Sequence, residues 1–259
     1  MATCRQQSFS RQLSCLVSFV CFVIILATPI VMAAETGKDM KNPKEQVQHY
    51  FDHFVVGISD LDNGMNLIEE MTGVRPVYGG VHPTIGTRNA LISLGDHTYL
   101  EIIAPNPDAD FGNLDPVLKA EFMEPLKQMT ALRPFLWAVG SSDLTTTSRL
   151  LEEAGIELSS PGAGSRKKPD GKVLNWHAAF ITRPRSAELP FFISWSETTV
   201  SPAEDSPPGC HFERFSVSAP DTAVLEKLKE QLGLSAEIST ASELKFQLAL
   251  SCPKGKVTL

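Results

Sequence analysis

The chain has no Walker loop, no dinucleotide fingerprint after a strand, no Gly-x-Ser-x-Gly elbow and no His-Glu-x-x-His pair. Phosphate-cradling, nucleotide-cofactor, serine-hydrolase and zincin chemistries therefore lack their usual residues. Cysteine is scarce. Of five cysteines, Cys4, Cys15 and Cys21 fall in the first 34 residues, and no CxxC pair or zinc-type cluster exists. Acidic residues are missing before Glu35, and no charge of either sign lies between Leu13 and Ala34.

That last absence describes an export segment. Arg5 and Arg11 make a basic start, Leu16 to Leu26 is strongly apolar, and Val31-Met32-Ala33-Ala34 offers small residues for cleavage. The expectation for 1–34 is a signal peptide cut after Ala33. An uncleaved membrane anchor is the alternative, since the uncharged run is almost long enough to span a bilayer. Either way the rest of the chain is exported, to a periplasm or the medium. Cys15 and Cys21 precede the exit region, which argues against a lipidated mature start. After cleavage 21 basic residues face 30 acidic ones, a net charge of −9. Such a surface repels nucleic acid and anionic lipid. Only Cys210 and Cys252 survive, and an oxidising compartment would let them pair. Two buried free thiols would fit the sequence equally well.

What is present is an ordinary globular composition, 42% hydrophobic and 20% charged. Residues 35–48 read as a polar lead-in. His49 to Ile58 then reads as a strand, rich in aromatic and β-branched residues. Ser59-Asp60-Leu61 opens a helix that Gly73 closes, with Leu61, Met65, Ile68 and Met71 at helical spacing. Strands follow at 76–83, 87–95 and 98–105, giving β-α-β-β-β. The pattern returns 83 residues later. Val56-Gly57-Ile58-Ser59-Asp60-Leu61 becomes Val139-Gly140-Ser141-Ser142-Asp143-Leu144, and Glu69-Glu70 becomes Glu152-Glu153. A register held across a strand and a helix marks an internal repeat. The second module continues through Ile156 to Leu158, a basic loop from Gly162 to Gly171, and strands at 173–181 and 189–195. A looser third copy follows the linker 201–209. It has a strand at 212–218, a helix over Val224, Leu225, Leu228 and Leu232, and short strands after it. The expected fold is α+β: paired βαβββ modules over 49–200 and a smaller βαβββ-like module over 205–259.

These residues resemble a family. Asp52-His53, Gly79-Gly80-Val81-His82-Pro83, Gly86-Thr87-Arg88-Asn89, Tyr99-Leu100-Glu101, Leu189 to Trp195 and Pro208-Gly209-Cys210 look like the glyoxalase-like domain proteins. Those belong to the vicinal-oxygen-chelate superfamily of glyoxalases, extradiol dioxygenases and antibiotic-resistance proteins. The resemblance covers about 50 to 259. It implies two modules facing each other around a cleft, with a divalent metal held by the first and last strands of each. His53 and Glu101 occupy those positions in the first module. Imidazole plus carboxylate suits Fe, Mn, Ni or Zn, and open positions would chelate a substrate's oxygens. In the second module the 83-residue shift places Leu136 opposite His53, and the counterpart of Glu101 falls near Phe192 or Ile193. Half of the ligand set is therefore apolar. His82 is the candidate third ligand, or a catalytic partner, or a turn cap.

Without metal, His53 and Glu101 would form a buried pair. Glu101 is also the candidate general base, as a carboxylate in an apolar cleft. Asn89 would orient a substrate carbonyl or stitch backbone. Trp176 and Trp195 would wall the cleft or pack the core. Arg166-Lys167-Lys168 would steer an anionic substrate or simply be solvated. Two functions follow: an exported metal-dependent lyase, isomerase or dioxygenase acting on a small oxygenated molecule, or a metal-free protein that sequesters a small molecule. The third module, with no obvious partner in the chain, would leave a sheet to cover by self-association into a homo-oligomer.

Overall fold

The computed structural model describes residues 47–259. The export segment and almost all of the lead-in lie outside them. Among the described residues no helix is long and apolar enough to cross a membrane.

The first module is β1 (His49–Gly57), α1 (Leu61–Thr72), β2 (Val77–His82), β3 (Thr87–Ser93) and β4 (Tyr99–Pro105). Short helical turns between Phe111 and Lys127 lead to the second: β5 (Arg133–Ser141), α2 (Leu144–Glu153), β6 (Glu157–Leu158), β7 (Gly162–Lys167), β8 (Val173–Arg183) and β9 (Phe191–Trp195). The strands form one sheet in the order β6-β8-β7-β2-β3-β4-β1-β5-β9, and β8 also pairs with β9. That second pairing closes eight strands into a ring, with β6 on its margin. The two modules enclose an interior rather than an open cleft, and a ring of eight strands leaves room for one small ligand.

The repeat is physical. Asp60 and Asp143, related by 83 residues, both cap their helices by accepting backbone N–H bonds, from Asn63 in one case and from Thr145 and Thr146 in the other. Strands β1 and β5 lie antiparallel, with His53 opposite Ala138 and Val55 opposite Leu136. The 83-residue shift exchanges these two pairs, as a local two-fold axis between the strands requires.

Expectation and structure part at 162–171. The basic loop is for the most part strand β7, paired antiparallel to β8 from Gly162 opposite Ala178 to Lys167 opposite Val173. It bridges to the first module where Val81 faces Lys167. Gly, Ala and Ser dominate β7, so its strand propensity is poor and pairing on both sides makes it a strand.

Residues 211–259 form β10 (His211–Ala219), α3 (Ala223–Leu232), β11 (Glu237–Thr240), β12 (Lys245–Cys252) and β13 (Gly255–Thr258). The element string is βαβββ, but the sheet order is β11-β10-β12-β13. The first strand lies inside and the last at an edge, whereas β1 lies beside the last strand of its own module. This sheet does have a partner within the chain, so the reason for expecting self-association falls away. Phe215 packs on Phe51, Phe54 and Trp137, with ring centroids 4.9, 5.5 and 5.0 Å apart. The outward residues of β1, β4, β5 and β9, including Phe54, Leu100, Ile102, Val139 and Phe192, thus share one core with Leu225, Leu228, Leu248 and Leu250. Burying each large side chain contributes roughly 2–3 kcal/mol. Cys210 and Cys252 are joined as a disulfide.

Candidate functional site

Side chains alternate across a strand, so a core on the outer face of the sheet leaves the alternate residues for the interior. They line a cavity of about 620 Å³. Every expected site residue faces it: His53 from β1, His82 from β2, Asn89 from β3, Glu101 from β4, and Trp176 and Trp195 from β8 and β9.

Two bulges aim the polar ones. In β1 the pairing slips between Phe51 and His53, making Asp52 the extra residue. Asp52 therefore lies beside His53 instead of on the opposite face, and its Oδ1 accepts from His53 Nδ1 at 2.5 Å. Trp195 Nε1 donates to the other oxygen at 3.0 Å, and Tyr50 hydrogen-bonds the same carboxylate. Burial and Asp52 push the Tyr50 hydroxyl up to about 12, so it remains a donor. In β2 the pairing slips between Tyr78 and Gly80, and His82 turns inward opposite Thr87.

With Nδ1 donating to Asp52, His53 Nε2 faces Glu101 Oε2 at 3.5 Å. Asn89 Nδ2 donates to Glu101 Oε1 at 2.7 Å, while Asn89 Oδ1 accepts from Arg166 Nη1 at 2.6 Å. Asn89 does not stitch backbone: its amide joins a cation to a carboxylate. His82 Nδ1 lies 2.9 Å from Thr87 Oγ1, and its Nε2 lies 4.0 Å from Glu101 Oε1. Desolvation lowers His82 to about 4, with Glu101 opposing and Arg166 and His53 assisting, so its ring is neutral at pH 7. His53 stacks on Tyr99 at 4.5 Å and meets the edge of Phe191 at 5.4 Å. Trp176 and Trp195 lie 5.6 Å apart. Trp176 covers Gly164, where a Cβ would come within 2.4 Å of the indole.

The barrel is polar on one side and apolar on the other. Strand β4 runs parallel to β1 with Glu101 beside Val55, and β9 runs parallel to β5 with Phe191 beside Ala138. The counterpart of Glu101 is therefore Phe191, next to the expected Phe192 and two residues before Ile193. The same register relates Asn89, paired with Ile103, to Ala178, paired with Ile193. His53, Glu101 and Asn89 thus face Leu136, Phe191 and Ala178 in the other module.

This arrangement tests the expected metal. His53 and Glu101 keep two donors, and Asp52 orients the imidazole as outer-shell carboxylates orient metal-bound histidines. The remaining donors are missing. Leu136 and Phe191 offer no lone pair, and Asn89 already occupies Glu101 Oε1 on the side of His82. Among the described residues no group of three His, Cys, Asp or Glu side chains is spaced to hold a metal ion. The donor set does not fit a resident divalent metal.

Asp52, Tyr99 and Phe191 were not expected as site residues, and Arg166 was expected only within a basic loop that would steer an anionic substrate or be solvated. Arg166 is the plainest case, because it is 4% exposed rather than solvated. Its guanidinium lies against Gly79, where a Cβ would be 1.9 Å from Nη1 and 2.4 Å from Asn89 Oδ1. The Gly79-Gly80 pair is the space through which Arg166 reaches Asn89, and those glycines were its only sequence signal.

The chain matches the sequence profile described as the glyoxalase-like domain over residues 51–233. It belongs to that family, within the vicinal-oxygen-chelate superfamily, whose members often bind a divalent metal. No curated protein matches the sequence. Among solved structures, a hypothetical protein from Staphylococcus aureus superposes with a TM-score of 0.61 at 15% identity, over 76% of this chain and 88% of that one. Methylmalonyl-CoA epimerase from Mycobacterium tuberculosis gives a TM-score of 0.40 at 22% identity, over 56% and 86%. A single-residue variant of the Streptomyces coelicolor methylmalonyl-CoA epimerase, in complex with 2-nitronate-propionyl-CoA, gives 0.38 at 18%, over 59% and 98%. The first likeness is one of fold alone.

Proposed function

We propose that this is an exported lyase- or isomerase-type enzyme that moves a proton on a small oxygenated molecule held inside the barrel. The observation that carries the reading is the Glu101–His53 pair, 3.5 Å apart on the polar wall of an otherwise largely apolar cavity. Each partner is backed from behind, Glu101 by Asn89 and His53 by Asp52. Glu101 would take a proton from a carbon next to a carbonyl. The C–H bond breaks, an O–H bond forms on Glu101, and the electron pair moves onto the carbonyl oxygen. A carbonyl oxygen turned toward neutral His82 and the Arg166 cation, which both line the cavity, would have its developing negative charge favoured. His53 Nε2 would exchange the proton with Glu101 and return it to the product. Trp176, Trp195 and Phe191 would exclude water around the substrate's apolar part. No step is assigned to a metal, because the donor set does not fit one. Dioxygenation, which would need a bound metal, is not part of this reading.

Export is part of the reading. It rests on the basic, apolar and small-residue pattern of residues 1–34 and on the Cys210–Cys252 disulfide, which suits an oxidising compartment. A second reading, ligand sequestration without turnover, is favoured by the apolar replacements Leu136 and Phe191.

One experiment separates the two. Small carbonyl compounds with an acidic C–H are incubated with the protein in D₂O, and loss of that proton signal is followed by NMR. The expected result is catalysed exchange that Glu101→Gln slows by about 10²- to 10⁴-fold. Ligands that bind without any exchange would leave the sequestration reading standing and remove the enzyme.

A further inference from the structure

We infer that Arg166 is a carboxylate-binding residue, and that the cavity takes a small carboxylic acid bearing a ring or branched apolar body. This concerns the same cavity and rests on reading it as a small-molecule site, not on proton transfer.

A guanidinium carries five N–H donors and cannot give up its charge. Arg166 uses one of them, Nη1 to Asn89 Oδ1, and no carboxylate pairs with it among the described residues. Yet the residue is 4% exposed and lines the cavity. The guanidinium keeps donors open to the cavity, and a cation at the wall of a largely apolar cavity favours an anionic ligand group. Glu101 is not that group, because its oxygens are turned to Asn89 and His53.

The position is also built. Gly79 leaves the space that Nη1 fills, and Gly80, at φ +137°, sits 2.5 Å (from where a Cβ would be) from the Lys167 carbonyl and 3.0 Å from Arg166 Cγ. Two adjacent residues without side chains, one in a backbone conformation that favours glycine, let a side chain from the second module pass over β2 into the polar wall of the first. A planar fork in a fixed position matches a carboxylate, which accepts two parallel N–H bonds. Facing that wall, Trp176, Trp195, Phe180, Phe191 and Leu136 offer aromatic and aliphatic surface for the rest of the ligand. Phe180 and Phe191 stack at 5.4 Å. The cavity volume, about 620 Å³, is that of a typical small-ligand pocket.

The test compares phenylacetate and 3-phenylpropanoate with their primary amides, which match them in shape and lack the charge. Binding is read at pH 7 from quenching of tryptophan fluorescence, since Trp176 and Trp195 are in the wall. The wild type is expected to bind the acids at least 10-fold tighter than the amides. Arg166→Gln is expected to abolish the preference, and Arg166→Lys to keep part of it by retaining the charge without the fork. Equal binding of acid and amide by the wild type overturns the inference without reference to any variant, as does failure of every probe to bind at millimolar concentration. A preference that survives Arg166→Gln in a variant with native circular dichroism overturns it too. Preference for acids without proton exchange would sink the enzyme reading and leave this one. Exchange on neutral carbonyls without that preference would do the reverse.

Discussion

His82 is neutral at physiological pH because burial penalises its charged form, and this ties the stability of the barrel to pH. Its folded value is lowered to about 4 from 6.5. Glu101 faces it from β4 and opposes the shift, while Arg166 from β7 and His53 from β1 add to it; Thr87 and Asn89 of β3 are the uncharged neighbours. Between pH 6.5 and 4 the unfolded chain binds a proton at this residue that the folded chain refuses. The stability it allows is therefore full above pH 6.5 and falls as pH drops, with the loss complete below 4. The ceiling on that loss is roughly 3 kcal/mol. In urea titrations at pH 4 and 7, His82→Asn should show a smaller difference than the wild type. An identical difference in both proteins would mean that His82 titrates normally.

At this scale the sequence told part of the story. His53, His82, Asn89, Glu101, Trp176 and Trp195 were legible from alternation and resemblance, and all six face one cavity. Asp52 was not, because regular alternation places it on the opposite face from His53, and only the bulge brings the two together. Arg166 was hidden by its neighbours. In Arg166-Lys167-Lys168 the charges suggest solvent, whereas pairing with β8 and passage over Gly79 bury the first of them.

Among the elements, the first module was read almost residue for residue, since its strands carry β-branched and aromatic side chains and its helix has both caps. The second module was read less completely. Strand β7 has no propensity to announce it, and exists through its two neighbours. Its junction with β2 depends on small residues, which yields a paired prediction. Gly79→Ala places a methyl 1.9 Å from Arg166 Nη1 and should cost about 1–3 kcal/mol, with loss of the Arg166–Asn89 bond. Gly162→Ala, on the same sheet but with its nearest atom 3.9 Å away, should stay within about 0.5 kcal/mol of wild type. Thermal melts of the two variants side by side check this. Equal effects would mean that the close approach at Gly79 is not what shapes the wall. The same two-fold register that repeats the elements shows where the halves diverge, because His53, Glu101 and Asn89 meet Leu136, Phe191 and Ala178 at matching positions.

Among the described residues the two modules form a closed barrel that the C-terminal sheet covers on one side, and its inside is divided. The C-terminal sheet covers β1 and β5 through Phe212, Phe215 and Phe246, and the Cys210–Cys252 disulfide ties the residue before β10 to the end of β12. The third βαβββ string was legible, but its strand order was not, because order is set by which edges remain open for pairing. The cavity was predictable as a place and less so as an environment. A sequence repeat implies two equivalent halves, and this interior works through their difference, with acid, base and cation on one side and rings on the other.

In the proposed function His53 and Glu101 act as a proton pair rather than as half of a metal centre. Elemental analysis of residues 35–259 tests this most directly, after incubation with Fe, Mn, Ni or Zn and removal of excess, with the His53→Ala/Glu101→Ala double variant alongside. Well under one equivalent of metal is expected, and the same amount in both proteins. Near-stoichiometric metal in the wild type that disappears from the double variant would contradict the proton-pair reading.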